Sequence, residues 1–493
     1  MCRPRAGPRR GGLPQSGQAA LTILAVDQGT TGTTCLVVDD ELRARGRGYC
    51  ELAQHFPRPG WVEHDPEEIW ATVQGAAEAA VRDAGVRAAD LRGIAITNQR
   101  ETTVLWERAT GRPVAPAIVW QDRRTADRCR ALPAELVRSR TGLVPDPYFS
   151  ATKLEWLLAR TDAQPSELAF GTVDAWLMWK LTAGRVHATD VTNASRTMLL
   201  DLDTLDWNEE LLALFGVEPV LLPRLVASSE VVGEGELLGV TLPIAGIAGD
   251  QQASLAGHGC FERGEAKTTY GTGSFVLVHA GETRGGAPEG LLETAAAPHG
   301  YALEGAILVS GAAIQWLRDG LGIVDSAAET EALARAVAST DGVSFVPALA
   351  GLGSPWWDPS ARGLITGITR GTTRAHLVRA ALEAIAFQVA DVVDTIPGGV
   401  RVMRADGGGS ANAFLMQLQA DVLGCRVEVA AERETTALGA AALAGLALGL
   451  WPGEPSVREL LAPGAVYEPR GDPAVLDEAR EGWRRAVRRA LLP

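Results

Sequence analysis

The feature that most constrains the fold is a short strand, turn and strand pattern that occurs twice in the chain. In the first copy, residues 21–38, apolar β-branched runs flank a turn rich in glycine and threonine that begins at Asp27. In the second copy, residues 266–278, similar runs flank Gly-Thr-Gly-Ser at 271–274. Each pattern predicts a β-hairpin. The repeat therefore predicts two similarly built halves, and 493 residues are enough for two large domains.

Strands and helices alternate along both halves. Apolar runs at 91–97 and 117–120 predict strands. Helical spacing of apolar residues is found at 66–83, 154–160, 374–393 and 413–423. This alternation is typical of an α/β architecture with mixed sheets. Ligands of such sheets bind beyond the strand ends, here expected between the two halves.

The repeat also sets the expected domain boundaries. Residues 1–20 are rich in arginine, proline and glycine and lack an apolar segment, which predicts a disordered N-terminal extension without a secretory signal. The first domain is expected at 21–256 and the second at 257–493. No proline- or serine-rich linker separates them, so only the repeat places this boundary.

Charge and composition exclude several classes of function. The formal net charge of -14 disfavours binding to nucleic acid or to an anionic membrane surface. The apolar segment 436–450 is shorter than the ~20 residues that span a bilayer, so it predicts a buried helix and no integral membrane association. The six cysteines are scattered, without a C-x-x-C pair or zinc-ligand spacing, which favours a cytoplasmic protein.

Three glycine-rich segments, 27–34, 270–274 and 406–410, each follow a predicted strand. Glycine lets backbone N–H groups approach a phosphate, and threonine and serine hydroxyls donate further hydrogen bonds. Each segment alone is more often only a hairpin turn. None of the three lysines completes a Walker-type P-loop, so together the segments predict an ATP site of another kind. Asp27 would anchor Mg²⁺ through water; the alternative is a turn or cap aspartate.

Polar residues follow two other predicted strands, at 98–102 and 249–252. A carboxylate just after a buried strand can accept a proton from an alcohol. The alternative for either segment is a capping or salt-bridged surface carboxylate. The neighbouring aromatic residues Trp120, Tyr148 and Phe275 are core residues by default.

Seven segments of the chain, in order and with few gaps, resemble the FGGY carbohydrate kinase family. They are 27–31, 61–66, 96–103, 146–150, 249–252, 270–273 and 311–316. The likeness extends from about Leu21 to Trp451. Segments 98–103 and 249–252 are similar to the glycerol-specific branch of the family.

The resemblance implies the actin-like ATPase fold: two ribonuclease-H-like domains, each with a mixed sheet flanked by helices, and an interdomain cleft. It places glycerol, Mg²⁺ and the phosphates on the first domain, 21–256, and the nucleotide on the second, 257–493. It implies ATP-dependent phosphorylation of glycerol to sn-glycerol 3-phosphate in glycerol catabolism. A cytoplasmic homodimer or homotetramer is expected.

The resemblance also implies roles for individual residues. Contacts to the glycerol hydroxyls are implied for Arg100, Glu101, Tyr148, Asp250 and Gln251, and contacts to its carbon backbone for Trp120 and Phe275. Asp250 would be the general base, and Asp27 would position Mg²⁺. Contacts to ATP are implied for Thr30, Thr31, Thr33, Thr272, Gly311, Gln315, Gly409 and Asn412.

Two segments depart from the family pattern. Thr34 stands where an arginine is common, at the end of the first glycine-rich hairpin, which reduces the charge available to the phosphates. Segment 229–242 lacks the loop that binds fructose 1,6-bisphosphate in some relatives and the histidine that is phosphorylated in others, so both regulatory modes are expected to be absent.

Two alternatives to glycerol phosphorylation remain. One is a kinase of the same family for another small polyol or sugar, such as erythritol or xylulose. The other is a weakened relative that binds nucleotide as a sensor or scaffold. Asp27, Asp250 and the pair Arg100 and Glu101 argue against the second alternative, and Thr34 argues for it.

Overall fold

The computed structural model describes residues 22–492, so the extension expected at 1–20 lies outside the described residues. In the first part of the chain the elements are β1 (Thr22–Gln28), β2 (Gly32–Val38), β3 (Ala44–Glu51), β4 (Glu63–His64), α1 (Pro66–Ala84), β5 (Leu91–Asn98), β6 (Val104–Glu107), β7 (Ala117–Ile118), α2 (Ala126–Arg130), α3 (Ala134–Thr141), α4 (Ala151–Leu158), β8 (Leu168–Gly171), α5 (Val173–Leu181), β9 (Ala188–Asp190), α6 (Val191–Ala194), β10 (Leu200–Asp201), β11 (Asp206–Trp207), α7 (Glu209–Phe215), β12 (Arg224–Val226), β13 (Val231–Leu237), β14 (Val240–Gly249) and α8 (Asp250–Gly257).

Further elements follow in the second part of the chain. They are β15 (Glu265–Tyr270), β16 (Ser274–Gly281), β17 (Leu292–Ala295), β18 (Tyr301–Ile307), α9 (Gly311–Asp319), α10 (Glu329–Arg335), β19 (Ser344–Val346), β20 (Leu364–Thr366), α11 (Arg374–Asp394), β21 (Val402–Asp406), α12 (Ala413–Leu423), β22 (Arg426–Ala430), α13 (Thr435–Ala447), α14 (Glu454–Leu460), β23 (Pro463–Tyr467) and α15 (Pro473–Ala490). Short 3-10 helices occupy Ala88–Asp90, Pro165–Glu167, Pro219–Leu221 and Gly408–Ala411.

The described chain forms two compact units, and neither is continuous in sequence. The first unit contains residues up to Phe261 together with Thr294–Tyr301 and Glu434–Leu461, and the remaining segments form the second. The expected division into 21–256 and 257–493 therefore omits two segments that return to the first unit. A repeat of hairpins marks where each unit begins, but it carries no signal for such a return.

The first unit is built on a six-stranded mixed sheet in the order β13-β14-β5-β1-β2-β3. Strands β1, β5 and β14 are mutually parallel, and β2, β3 and β13 extend the sheet in antiparallel fashion. Helix α1 packs on one face, while α8 and α13 pack on the other. Alternation along β2 divides its side chains between the two faces: Cys35 and Val37 belong to the core with α1, and Leu36 and Val38 to the core with α13.

The second unit is built on a seven-stranded mixed sheet in the order β17-β18-β16-β15-β21-β22-β23. Strands β15, β21 and β22 are parallel, and β15 and β16 form the second glycine-rich hairpin. Long helix α11 and the adjacent α12 contribute apolar side chains to the main core of this unit. Both units thus have the mixed sheet and flanking helices that the alternation in the sequence predicts.

Most elements that the sequence predicts are present at nearly the expected positions. Both hairpins form, and α1 has the expected signals, with Asp65 capping its N-terminus, Pro66 in its first turn and Gly85 at its C-cap. The strand expected at 117–120 is limited to β7, because the chain turns at Trp120. No helix within residues 22–492 is long and apolar enough to cross a membrane. The segment 436–450 is the mostly buried helix α13.

Helices α8 and α13 pack so closely that they need glycine where they meet. A Cβ on Gly439 would lie 1.8 Å from the carbonyl oxygen of Ala253, and one on Gly257 would lie 2.0 Å from that of Thr435. These backbone atoms cannot move away without separating the helices. The close contact holds α13 against the sheet of the first unit.

We expect Gly439→Ala to destabilise the first unit by about 1–3 kcal/mol, because overpacking outweighs the roughly 1 kcal/mol that alanine gains over glycine in a helix. Denaturant unfolding measures the effect. The control is Gly453→Ala in the same unit, where φ is 164° and the new Cβ would meet only Pro455 at 3.7 Å. Equal stability of the two variants would contradict the prediction.

Candidate active site

The carboxyl ends of three neighbouring strands place the polar segments together. In the first unit Gln28 of β1 pairs with Asn98 of β5, and Asn98 pairs with Gly249 of β14. Because these strands are parallel and in register, the residues that follow them emerge at the same edge of the sheet. Asp27, at the end of β1, therefore lies at the same edge of the sheet as the segment 98–102 and Asp250.

Two arginines and two carboxylates form the centre of this cluster. The Nε of Arg100 lies 3.3 Å from Oδ1 of Asp250 and 3.7 Å from Oε1 of Glu101. The Nε of Arg196, in the segment after α6, donates a hydrogen bond of 2.6 Å to the same Oε1. The side chains of Arg100, Arg196 and Glu101 are at most 2% exposed, whereas that of Asp250 is 33% exposed. Asp250 is thus the carboxylate of this cluster that an incoming alcohol can reach.

Two aromatic side chains adjoin the cluster. The rings of Trp120 and Tyr148 meet edge to face with centroids 5.5 Å apart, and the guanidinium of Arg196 lies 5.3 Å from the Tyr148 ring. The indole N–H of Trp120 donates a 2.9 Å hydrogen bond to Oγ1 of Thr30 in the first glycine-rich turn. Trp120 and Tyr148 are therefore partly exposed site residues and not the core residues that they are by default.

The remaining residues expected at the polyol are placed differently. Gln251 follows Asp250 in the first turn of α8 and is partly exposed. Phe275 lies in β16, in the second unit, where it pairs with Thr269. Its side chain is partly exposed there.

The first glycine-rich turn exposes two of its three expected nucleotide contacts. Thr30 is partly exposed and Thr31 is exposed, as binding to a phosphate requires. The hydroxyl of Thr33 is not available for such a contact. Its side chain is fully buried in β2, and its hydroxyl is hydrogen-bonded at 2.8 Å to that of Thr72 in α1, because alternation along the strand turns it towards the core.

Asp27 is partly buried at the end of β1, between this turn and Asp250. Burial raises the pKa of its carboxyl to about 8, with a further increase from the negative charge of Asp250. The positive charge of Arg47 acts in the opposite direction.

Arg47 is a functional candidate that the sequence analysis missed. It lies in β3 opposite Leu36, on the same face of the sheet as Thr34, and its Nε donates a 2.9 Å hydrogen bond to Glu434. Thr34 itself is 8% exposed inside β2. A cation is thus present near Asp27, although Thr34 supplies none, and only strand pairing could have revealed it. Arg196 was missed as well; its one sequence signal is a lone arginine in an otherwise small and uncharged segment.

The second unit holds a cavity of about 470 Å³ beside its glycine-rich hairpin. Five residues expected to contact ATP line it: Thr272, Gly311, Gln315, Gly409 and Asn412. Asn412 caps α12 by accepting a hydrogen bond from the backbone N–H of Leu415, and its amide donates to Thr330. A Cβ on Gly409 would lie 2.9 Å from the Cβ of Tyr270, so glycine keeps this wall close to the hairpin.

Comparison with known proteins agrees with this geometry. The model of the N-terminal domain of the FGGY family of carbohydrate kinases matches residues 22–257, and that of its C-terminal domain matches residues 266–448. The chain belongs to the FGGY family of carbohydrate kinases. A protein of Bordetella parapertussis named glycerol kinase is 51% identical over 489 residues, covering 94% of this chain and 96% of that protein. A glycerol kinase of Deinococcus radiodurans is 49% identical, covering 95% and 97%.

Solved structures of FGGY proteins share the fold. The crystal structure of Plasmodium falciparum glycerol kinase with ADP superimposes with a TM-score of 0.90 at 34% identity, covering 96% of this chain and 99% of that one. The crystal structure of a xylulose kinase from Rhodospirillum rubrum superimposes with a TM-score of 0.84 at 26% identity, covering 94% of this chain and 98% of that one. The FGGY chain therefore has the ribonuclease-H-like, actin-like ATPase architecture that the resemblance implies.

The raised pKa of Asp27 predicts a pH-dependent stability of the protein without ligands. Because the folded state holds this proton more tightly than the unfolded state, the stabilisation is full below about pH 4 and is lost as pH rises through about 8. Asp27→Asn removes this contribution. The unfolding free energy of the variant minus that of the wild type should therefore increase between pH 5 and 7, by at most about 1.4 kcal/mol per pH unit. Parallel pH profiles in denaturant titrations would contradict the assigned shift.

Proposed function

We propose that the chain transfers the γ-phosphoryl group of ATP to glycerol, producing sn-glycerol 3-phosphate. Support comes from relatives of about 50% identity named glycerol kinase over nearly the whole chain. The observation that carries the proposal is the Arg100, Glu101 and Asp250 cluster at the ends of three parallel strands. It combines a reachable carboxylate with buried groups that bind hydroxyls.

Each member of the cluster has a distinct role in this reaction. Asp250 accepts the proton of the attacking hydroxyl, and Arg100 orients its carboxylate from 3.3 Å away. Glu101, fixed by Arg196, accepts hydrogen bonds from the hydroxyls of the polyol. Tyr148 and Gln251 add polar contacts, and the Trp120 ring covers the carbon chain. Catalysis then depends on positioning and on stabilisation of the transferred charge.

Asp27 and Asp250 also suit Mg²⁺. Burial and, after it, the charge of Asp250 raise the pKa of Asp27, so the two carboxylates lie near each other, and carboxylate oxygens are the ligands that this ion prefers. Residues 22–492 contain no group of three or more acidic, histidine or cysteine side chains that could hold a metal. In this proposal the two carboxylates and the substrate phosphates would hold the ion. Bound Mg²⁺ would neutralise charge on the phosphoryl group.

The second unit supplies the nucleotide side in this proposal. The 470 Å³ cavity has room for a nucleoside, and Thr272 with the backbone of Gly311 and Gly409 would contact its phosphates or ribose. Gln315 and Asn412 provide polar groups at its wall. We further propose a cytoplasmic location and a homodimer or homotetramer, as the family resemblance implies.

An ADP-release assay with glycerol, erythritol, xylulose and gluconate tests the function directly. Glycerol should give the highest kcat/KM because buried Arg100 and Glu101, with the rings of Trp120 and Tyr148, leave room for a short polyol. A higher value with a sugar would assign the chain to another activity of the family. No turnover with any substrate would support the nucleotide-binding relative instead.

Asp250→Asn should lower kcat for glycerol phosphorylation by at least about 100-fold while leaving glycerol binding largely intact, because it removes the proton acceptor and retains the shape. The matched control is Asp162→Asn, which changes an exposed loop aspartate. Steady-state kinetics and glycerol titration measure the two effects. Near-normal turnover of Asp250→Asn would refute its role as base.

Millimolar fructose 1,6-bisphosphate should change the activity less than twofold. Segment 229–242 contains β13 and the first residues of β14, and it carries three glutamates and no lysine or arginine. Binding of two phosphate groups needs cations, which this hairpin lacks. Saturable inhibition in the same assay would show that the sugar bisphosphate binds elsewhere on the protein.

A further inference from the structure

Three side chains converge on the backbone carbonyl oxygen of Glu101. Thr103 donates to it from 3.1 Å, Ser150 from 3.0 Å and the ammonium of Lys153 from 3.2 Å. Glu101 has φ = 62°, in the left-handed region that non-glycine residues rarely occupy. Such a conformation is strained and persists where the surroundings fix it. The three donors help to hold this conformation.

Lys153 makes a second hydrogen bond that the other two donors do not. Its ammonium donates from 2.7 Å to the carbonyl oxygen of Tyr148. One side chain from α4 therefore joins the backbone of the segment after β5 to that of the segment before α4. Glu101 and Tyr148 both belong to the proposed polyol site.

The environment of Lys153 distinguishes it from a packing residue. Its side chain is fully buried, and burial lowers its pKa to about 7, against opposing contributions from Glu101, Asp122 and Asp146. A buried ammonium is costly where an apolar side chain would fill the same space. Two short hydrogen bonds to carbonyl oxygens offset that cost and make the interaction directional.

We propose that Lys153 is a positioning residue that fixes the spacing between Glu101 and Tyr148 and thereby sets the length of polyol that the site accepts. This inference rests on the proposed glycerol phosphorylation. Lys153 does not touch the polyol; it acts through the two carbonyl groups that it joins. Without the two hydrogen bonds of Lys153, the segments that carry Glu101 and Tyr148 should move apart. The site would then fit a three-carbon polyol less well and admit a four-carbon one.

The experiment compares Lys153→Met with Thr152→Val. Methionine has a similar length without a donor, so the KM for glycerol should rise at least tenfold while the KM for ATP changes less than twofold. The preference for glycerol over erythritol in kcat/KM should fall at least fivefold. Thr152, buried in the same helix, bonds at 2.8 Å to Thr125 and not to the polyol segments. Thr152→Val should retain both KM values and the preference.

Three outcomes decide the proposal. Equal kinetics of Lys153→Met and Thr152→Val at similar thermal stability would overturn it, since Lys153 would then be a packing residue only. Absence of glycerol turnover in the wild type would refute the proposed function. The Lys153 variants test only the role of Lys153, so the two failures can be told apart. If Lys153→Met does not fold, Lys153→Gln decides: its shorter side chain cannot join both carbonyl oxygens, so the KM for glycerol should rise and the preference for glycerol over erythritol should fall, and unchanged values would overturn the proposal.

Discussion

The parallel pairing of β1, β5 and β14 is the constraint on which the candidate site depends. Gln28, Asn98 and Gly249 are matched across three strands, so the residues after each strand emerge together. Asp27, Glu101 and Asp250 come from segments far apart in sequence, and this register brings them to one edge. A shift of one residue in any of the three strands would turn the polar side chains to the opposite face.

Much of the site could be predicted from sequence because each polar segment directly follows an apolar strand. The apolar runs on either side of glycine-rich turns located both hairpins, and the helical spacing of apolar residues at 66–83 predicted the ends of α1 nearly to the residue. The predictions were less successful where a side chain's direction depends on its partners. Thr33 lies in a hydroxyl-rich turn sequence, yet strand alternation directs it to Thr72. Arg47 and Arg196 lie outside the glycine-rich and strand-end segments, and only tertiary packing places them beside Asp27 and Glu101.

Burial of charge is the common theme of the first unit's polar cluster. Arg100 and Arg196 are almost completely buried, and each lies against the carboxylate of Glu101. Removing either partner would leave an uncompensated charge, which is far more costly than the pair itself. The cluster is therefore rigid before any substrate arrives. This suits a reaction in which much of the barrier reduction comes from holding the reacting groups in place.

Domain boundaries were less predictable, since nothing in segment 434–461 marks its return to the first unit.

That return has a consequence for the order of events on the ribosome. Helix α13 covers the face of the sheet that carries Ala25, Ala95 and Ala248, and it packs against α8 through Gly257 and Gly439. The ribosome makes it only after almost all of the second unit. Until then only α8 covers this face of the central sheet, so part of its apolar surface stays open to water, although the other face can already bind α1. The first unit therefore cannot complete its core until residues 434–461 have been synthesised. A chain terminated before residue 434 should expose apolar surface and aggregate rather than fold as a smaller stable protein.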